Sequence, residues 1–422
     1  MGASTHTLLT LTIIAKEALM LLKNNLVMGN LVHRGYESEF TGGQGASIRV
    51  RKPVKFTVTT GRTRITTFKL TEQYITLTVA TQKHVSWGFS SADLTLTIEQ
   101  YKERYLNNAV AALANEVDSD ILALYKDVYN SVNESSGFID PESFIVLGKA
   151  GRKLDEEAAP QDGRSIVLNP GANWSLANAM KNMYVQNVSK PALTKGYLTK
   201  IANFEIYMDQ NIKAHLTSNW CTDSDCEMTG YEIGTTVPST GCETSALQIC
   251  DFQVITTNVL KTGDIFTIAG VYAVNPMSGQ STGSLRQFVV TADASCGSTG
   301  TASEVPITVH IQPDIRDTGP YKTVDTLPAG GAVVDIVGVC NRQFPQNLAF
   351  HKNAFALIFV PLEMPDGAVF KARETDPDTN LSIRVIKDYD IDLDDDVIRL
   401  DILYGVKTLY PELACRIWGL KS

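Results

Sequence analysis

The longest helical pattern in the chain covers residues 97–132. Apolar side chains recur there in steps of three and four, the spacing that places one face of a helix against a core. Neither Gly nor Pro interrupts the pattern, Asp93 is the predicted N-cap, and Asn133 and Gly137 mark the exit. At 1.5 Å per residue, this spine helix would be about 50 Å long. The apolar positions are Ile98, Tyr101, Tyr105, Ala109, Ala112, Leu113, Val117, Ile121, Leu124 and Val128.

Shorter helical patterns alternate with short apolar runs along much of the remaining chain. The sequence predicts helices over residues 4–24, 141–159 and 174–184. It predicts buried strands over 164–168, 204–208 and 353–361, and further strands after 381. Helices and strands that alternate in this way indicate a mixed body, so we predict an α+β fold.

The polarity changes to a period of two over residues 46–90, which predicts a long β-tongue. The tongue is polar on at least one face, and a strand pair of that polarity cannot be buried in its own domain. We therefore expect it to project and pack on another surface. We predict that its basic rim is an intersubunit interface, the alternative being that these charges only add solubility. The rim consists of Arg49, Arg51, Lys55, Arg62 and Arg64.

Thr, Ser, Gly and Cys dominate from about residue 212 to residue 340, and helical periodicity is absent there. Short apolar strands over 252–256, 265–269, 286–291 and 307–311 are separated by turn signals. This pattern predicts a small β-barrel inserted into the body. Because its strands and turns are local, we expect the insert to fold alone, with few contacts across its boundaries.

Composition and charge narrow the choice of function. A chain of 422 residues is expected to form two or three domains. The net charge of −9 argues against a broad nucleic-acid-binding surface. Lys16 and Glu17 interrupt the apolar run at residues 8–22, and no basic region precedes it. We therefore expect neither a signal peptide nor a membrane span.

The motifs of common catalytic sites are missing from the sequence. The six His residues are scattered, and no HExxH motif, Walker loop, dinucleotide fingerprint or GxSxG elbow occurs. We therefore predict that the protein is not an enzyme, with no catalytic residues, no cofactor and no metal site.

A run of alternating aspartates extends from Asp388 to Asp396 and imitates the start of a calcium loop. Leu393 stands where that loop needs Gly, and Arg399 stands where it needs Glu. We favour a solvated, half-buried strand and keep a weak cation site between subunits as the alternative.

The seven Cys residues are unevenly spread, and five of them lie between positions 221 and 296. Cys221, Cys226, Cys242 and Cys250 lack the close C-x-x-C spacing of a zinc knuckle. Three interpretations stay open for these four: free thiols in a reducing cytosol, disulfides formed after release from a cell, or zinc ligands.

The ordered set of helix, arm, tongue, spine helix, mixed body and returning strands resembles a tailed-phage major capsid protein of the HK97-like fold. The inserted barrel narrows the resemblance to the P22-like coat proteins. Its local matches include residues 154–170, residues 196–207 and the sequence Tyr404–Gly405–Val406. The most specific match is a K-x-G-D turn, an A-G-V step and an F-x-V strand, carried by Lys261, Gly263, Asp264, Ala269, Gly270, Val271, Phe288 and Val290.

The resemblance implies an icosahedral capsid that encloses double-stranded DNA without sequence-specific binding. It implies a homo-oligomer of hexons and pentons, assembled in the host bacterial cytoplasm and found in the virion. Its expected partners are a scaffolding protein, a portal and a decoration protein. The implied domains are an N-terminal helix and arm (1–45), an E-loop tongue (46–90), a P-domain with the spine helix (91–164), the first part of an A-domain (165–211), the inserted barrel (212–340) and return strands (341–422).

Two functions from other classes compete with this one. A secreted or surface β-rich adhesin would explain the Thr-rich insert, but it should carry a signal peptide. A metal-dependent hydrolase built on Asp388–Asp396 would need a His or Glu partner, and none is evident nearby in the sequence.

Overall fold

Two sheets, a two-stranded ribbon and a closed barrel carry most of the strands. The computed structural model describes residues 11–36, 47–56, 72–90, 105–133, 144–179, 200–220, 231–233, 243–250, 258–295, 307–368, 370–377, 380–390 and 395–418. The chain divides into two units. Unit 1 comprises Met1–Lys52, Tyr74–Ile121 and Phe355–Lys407, and unit 2 comprises Pro53–Gln73, Leu122–Ala354 and Thr408–Ser422.

A five-stranded sheet forms the centre of unit 1. Its strands are β3 (Thr81–Ser90), β15 (Phe355–Phe359), β16 (Phe370–Thr375), β17 (Ser382–Asp390) and β18 (Asp395–Thr408), and both β3 and β17 pair antiparallel with β18. Helix α1 (Leu11–Asn25) packs against β16 and β17. The predicted first helix is thus present from Leu11, and residues 4–10 lie outside the described ranges.

The two faces of this sheet differ in polarity because successive residues of a strand point to opposite sides. Ile383 and Val385 of β17 are buried, whereas Arg384 between them faces the polar side. On that side Asp401 is fully buried, and its carboxylate accepts hydrogen bonds from Arg384 Nη2 and Arg399 Nε, both at 2.7 Å. Two guanidinium groups therefore compensate the one buried charge.

The predicted spine helix is shorter than its apolar pattern. Helix α2 spans Asn107–Leu122, a 3₁₀ turn covers Ala123–Asp127, and the chain then extends into β4 (Ser131–Val132). The prediction of helix up to residue 132 is therefore wrong, and α2 itself is about 24 Å long. Val128 is buried as the pattern required, but its backbone is extended. Residues 97–104 lie outside the described ranges.

A buried carboxylate on α2 orders the chain that follows α1. Asp118 accepts hydrogen bonds from the backbone N–H groups of Val27 (2.8 Å) and Gly29 (2.9 Å). These donors lie at the 3₁₀ turn Met28–Asn30. The start of the predicted arm, which follows the first helix within residues 1–45, is thus held on α2 by charge-assisted hydrogen bonds.

A six-stranded sheet forms the body of unit 2. Its strands are β4, β5 (Arg164–Leu168), β6 (Glu205–Met208), β7 (Ala214–Leu216), β14 (Gln343–His351) and β19 (Ala414–Trp418). Helices α3 (Phe144–Glu156) and α4 (Pro170–Ala179) contribute to a shared apolar core with β5 and β19. The predicted strands 164–168 and 204–208 and the predicted helices near 141–159 and 174–184 are confirmed within one turn, as far as those residues are described.

The insert contains a closed barrel with the strand order β10–β11–β12–β9–β8–β13. Phe266 of β10 faces Phe288 of β11 in the register, and their ring centroids are 5.7 Å apart in the barrel core. The predicted strand at 252–256 lies outside the described ranges. The barrel strands are β8 (Tyr231–Ile233), β9 (Thr244–Cys250), β10 (Ile265–Val274), β11 (Ser281–Val290), β12 (Ile307–Ile315) and β13 (Val333–Ile336).

The tongue is an antiparallel ribbon of β1 (Ser47–Arg51) and β2 (Tyr74–Thr78). The predicted tongue range 46–90 is too long, because β3 belongs to the five-stranded sheet. The ribbon meets that sheet at Gly405, the central residue of the Tyr-Gly-Val match. A Cβ atom on Gly405 would lie 2.4 Å from the carbonyl oxygen of Thr78, so the close approach of the two backbones requires glycine here.

We expect Gly405→Ala to destabilise unit 1 by about 1–3 kcal/mol, because the added methyl group forces the backbone of Thr78 away. Gly367→Ala is the matched control, since nothing lies within 4 Å of the place that a Cβ atom would take there. Chemical denaturation of the unassembled protein measures both changes. Equal stability of the two variants would show that the contact at Gly405 is not a constraint.

Candidate functional site

The ribbon has one exposed face, which we call the tongue face and define by Arg49, Arg51 and Tyr74. These residues and their neighbours on that side are exposed, whereas Val50 and Leu77 on the other side are buried. Arg51 faces Tyr74 in the register, and the guanidinium of Arg49 lies 4.8 Å from the centroid of the Tyr74 ring. A cation over an aromatic face is attractive, so this contact restricts where the Arg49 charge points.

The structure brings together only part of the predicted basic rim. Arg49 and Arg51 share the tongue face, Lys55 follows β1 in irregular chain and is half-buried, and Arg62 and Arg64 lie outside the described residues. Residues 46–64 contain six Lys and Arg and no Asp or Glu, so the rest of the chain carries 31 basic residues against 46 acidic ones. Residues 46–64 are therefore a basic segment of an acidic chain.

The alternating aspartates lie at the end of the β17–β18 hairpin, which we call the acidic hairpin and define by Asp388, Asp390, Asp395 and Asp396. The register sets Asp390 opposite Asp395, and Lys387 Nζ lies 3.0 Å from Asp396 Oδ2. Asp392 and Asp394 lie outside the described residues. Asp388 and Tyr389 are exposed and Asp390 is half-buried, so the half-buried prediction fails at Tyr389. Ile391 and Leu393, on which it also rested, lie outside the described residues. Within the described ranges, no group of three or more His, Cys, Asp or Glu side chains is arranged to hold a metal ion.

The K-x-G-D turn stands where the barrel meets the body of unit 2. The buried carboxylate of Asp264 accepts hydrogen bonds from the backbone N–H of Lys261 (2.8 Å) and from the hydroxyl of Ser218. His215 Nε2 lies 2.9 Å from Asp264 Oδ1, and His215 Nδ1 lies 3.1 Å from the Tyr125 hydroxyl. The aspartate thus joins the barrel turn to β7 and to the 3₁₀ turn of the body.

Gly263 of the same turn is held by a buried arginine from the sheet. Arg416 of β19 donates from Nη1 to the Gly263 carbonyl (2.7 Å) and from Nη2 to the Lys126 carbonyl (3.3 Å), and its guanidinium lies 5.2 Å from the Tyr125 ring centroid. Burial lowers the pKa of Arg416 to about 10, so the group is still charged at neutral pH. Gly263 has a φ of +103°, and a Cβ there would lie 3.1 Å from His215 Cε1. The glycine is therefore required both for backbone conformation and for space.

A buried ion pair joins the barrel to the residue that follows helix α3. Arg286 of β11 lies 2.5 Å from Glu157, and both side chains are more than nine-tenths buried. The Arg286 guanidinium also lies 4.6 Å from the Tyr129 ring centroid. Burial raises the pKa of the Glu157 carboxyl, and the positive charge of Arg286 opposes that rise. Each charge is buried only because the other is present.

The side-chain amide of Gln287 makes the two hydrogen bonds to the Ser131 backbone that a neighbouring strand would make. Its Oε1 accepts a hydrogen bond from the Ser131 N–H (2.8 Å), and its Nε2 donates to the Ser131 carbonyl (3.0 Å). Ser131 belongs to β4, which ends the six-stranded sheet and pairs with β19 on its other side. The barrel thereby satisfies backbone groups that a sheet edge would otherwise leave open.

These contacts contradict the expectation that few interactions cross the boundaries of the insert. Arg286 and Gln287 of the barrel find partners in Glu157 and Ser131 of the body, and the Gly263 carbonyl accepts a hydrogen bond from Arg416. Ile265 and Val289 also share an apolar cluster with Tyr129 and Trp418. Polar residues on the apolar strands of the insert were the available signal for this junction, because such residues need buried partners. The pattern did not reveal which residues those partners are.

Cys250, Cys340 and Cys415 lie within the described residues. Cys250 ends β9, whereas Cys221, Cys226 and Cys242 lie outside the described ranges, so the three interpretations of these four cysteines stay predictions. Cys340, which the predicted set did not include, is disulfide-bonded and lies in the barrel core. Cys415 is a buried thiol whose pKa burial raises to about 12, so it is unreactive.

A family profile decides what kind of protein carries these surfaces. The family described as "P22 coat protein - gene protein 5" matches residues 3–419. The chain belongs to the P22 coat protein family. This coat protein is therefore a major capsid protein of a tailed phage, and the members of its family are structural proteins of the capsid. No curated protein matches it.

Capsid proteins are also among the solved structures similar to this coat protein. The protein of Mycobacterium phage Che8 is 13% identical, with a TM-score of 0.48, and the match covers 93% of this chain and 90% of that one. The capsid of Ralstonia phage GP4 is 10% identical, with a TM-score of 0.43 and coverages of 94% and 88%. The CUS-3 coat protein I-domain is 26% identical, with a TM-score of 0.19 and coverages of 26% and 95%.

None of the helices in the described ranges of the coat protein combines the length and the apolar character that crossing a membrane requires.

We expect Glu157→Gln to destabilise the unassembled coat protein by about 3–5 kcal/mol, because it leaves Arg286 charged, buried and without its counter-ion. Replacing both partners, as Glu157→Leu with Arg286→Met, should recover most of that loss. Asp325→Asn is the control, since its pair with Lys322 is an exposed one and is worth less than about 1 kcal/mol. Chemical denaturation of the original protein and the three variants measures these differences. A loss at Glu157 no larger than at Asp325 would contradict the buried-pair argument.

Proposed function

We propose that this coat protein self-assembles into an icosahedral head of the HK97-like architecture, and that the tongue face is a contact between copies. The observation that carries the proposal is the exposed basic face of the ribbon, on a chain that is acidic over the rest of its length. A neighbouring copy is then the nearest abundant surface of opposite charge. The head encloses double-stranded DNA without sequence-specific binding.

The geometry of the tongue face suits a contact of this kind. Val50 and Leu77 bury one side of the ribbon, so the opposite, exposed side is left for a partner. The stacking of Arg49 on Tyr74 reduces the freedom that a binding arginine would otherwise lose. Arginine is also well suited to interfaces, because its planar guanidinium matches carboxylates in two hydrogen bonds.

We assign the closed barrel to an inserted domain of the coat protein, over residues 212–340. The remaining proposed divisions are the arm (1–45), the tongue (46–90, shortened at its end by β3), the P-domain (91–164), the A-domain (165–211) and the return strands (341–422). The buried junction at Asp264, Arg416 and Arg286 supports a barrel that keeps one orientation on the body.

We further propose that assembly takes place in the host bacterial cytoplasm, with a scaffolding protein, a portal and a decoration protein as partners. Membership of the coat protein family supports these roles. The net charge of −9 is consistent with a capsid shell that encloses DNA without binding it tightly.

We expect Arg49→Glu with Arg51→Glu to reduce the yield of closed shells at least about tenfold, because like charges then face each other across the contact. The unassembled variant should stay folded, since both side chains are exposed. Negative-stain electron microscopy and sedimentation of particles from expressing cells measure the yield.

The control is Lys371→Glu with Arg373→Glu, which reverses two exposed charges at the same spacing on β16. Normal shell yield from the tongue variant, or an equal loss in the control, would contradict the proposed role of the tongue face. We expect the same loss of shells from Arg62→Glu with Arg64→Glu.

A further inference from the structure

We infer that the acidic hairpin of a neighbouring copy is the partner of the tongue face, with Arg49 and Arg51 of one copy facing Asp388 and Asp390 of the next. This inference rests on the proposed function of the tongue face as a contact between copies. It also assigns a role to the aspartates that the calcium-loop motif leaves unexplained.

The spacing of the charges is the same on the two surfaces. Arg49 and Arg51 are two residues apart on β1, and Asp388 and Asp390 are two residues apart on β17. Side chains at that separation in a strand lie on one face, about 7 Å apart. Two strands laid side by side can therefore bring both arginines within reach of both aspartates at once.

The acidic hairpin offers carboxylates on both of its strands. Its register places Asp390 of β17 directly opposite Asp395 of β18. Asp388 is exposed, and Asp390 on the same face of β17 is half-buried. A guanidinium from a neighbouring copy could therefore bridge carboxylates of both strands.

Among the described residues, no strand pairs with the outer edge of β17 at the acidic hairpin. Strand β16 is described as far as the pair formed by Phe370 and Lys387, and residue 369 before it lies outside the described ranges. Residues Asp388 to Asp390 continue past that last described pair, and β18 lies on their other side. A neighbouring ribbon can thus approach this stretch without displacing any described strand.

Exchange of the charges tests the pairing directly. The tongue variant is Arg49→Asp with Arg51→Asp, the hairpin variant is Asp388→Arg with Asp390→Arg, and the exchange variant carries all four changes. We expect each double variant to lower shell yield at least about tenfold and the exchange variant to return to within about threefold of the original protein. Asp366→Arg, a charge reversal at a fully exposed site, is the control and should leave the yield unchanged.

The outcomes separate this inference from the function on which it rests. Loss of shells in the tongue variant, with normal shells in the hairpin variant or no recovery in the exchange variant, overturns the pairing and leaves the tongue contact standing. Normal shells in the tongue variant overturn both. Loss of shells in both double variants, with recovery in the exchange variant, supports the pairing and the tongue contact.

A cross-link keeps the test decisive if a charge variant fails to fold. Arg51→Cys with Asp388→Cys should form a disulfide between copies in oxidised shells, identified by peptide mass spectrometry as a link between the β1 and β17 peptides. The single variants are the controls, because the chain has seven cysteines of its own. Well-formed shells of the double variant that lack this linked peptide would overturn the pairing.

Discussion

The buried guanidinium of Arg416 is the contact on which the arrangement of unit 2 depends. It joins the last strand of the sheet, the 3₁₀ turn after α2 and the Gly263 turn of the barrel, and it does so with no exposed surface. A charge buried this deeply is tolerated only when carbonyl oxygens and an aromatic ring replace water around it. We therefore expect the barrel and the sheet to stabilise each other, because neither alone completes that environment.

Because the barrel is held on the body in this way, its junction residues are not available for contacts with neighbouring subunits. Asp264 and Arg286 commit the polar groups of the barrel junction to partners inside the same chain. The contacts that we propose between copies use exposed, charged surfaces of the described chain, the tongue face and the acidic hairpin. Exposed ion pairs are individually weak, which suits contacts that form and correct themselves while a shell grows.

Sequence periodicity located many of the helices and strands. Where it failed, the deciding contact was with a residue distant in the sequence. The strand at 164–168 and the barrel strands β10, β11 and β12 followed from local pattern, whereas β8, β9 and β13 were not predicted. Val128 continues a helical pattern in extended chain because β4 must pair with β19. The K-x-G-D match was visible in the sequence, whereas its partners His215 and Arg416 are distant in sequence and could not be inferred. The basic tongue followed from its charges, but which of them share a face required the register of β1 with β2.

The central claim is that barrel and body form one rigid element in every subunit of the shell. A cryo-electron microscopy reconstruction of assembled particles tests it most directly, by comparing the independent copies after superposition of their six-stranded sheets. We predict that the barrel has one orientation in all copies, with Arg416 Nη1 in contact with the Gly263 carbonyl. Barrels that differ in orientation between copies, or that lack the Arg416 contact, would contradict the account.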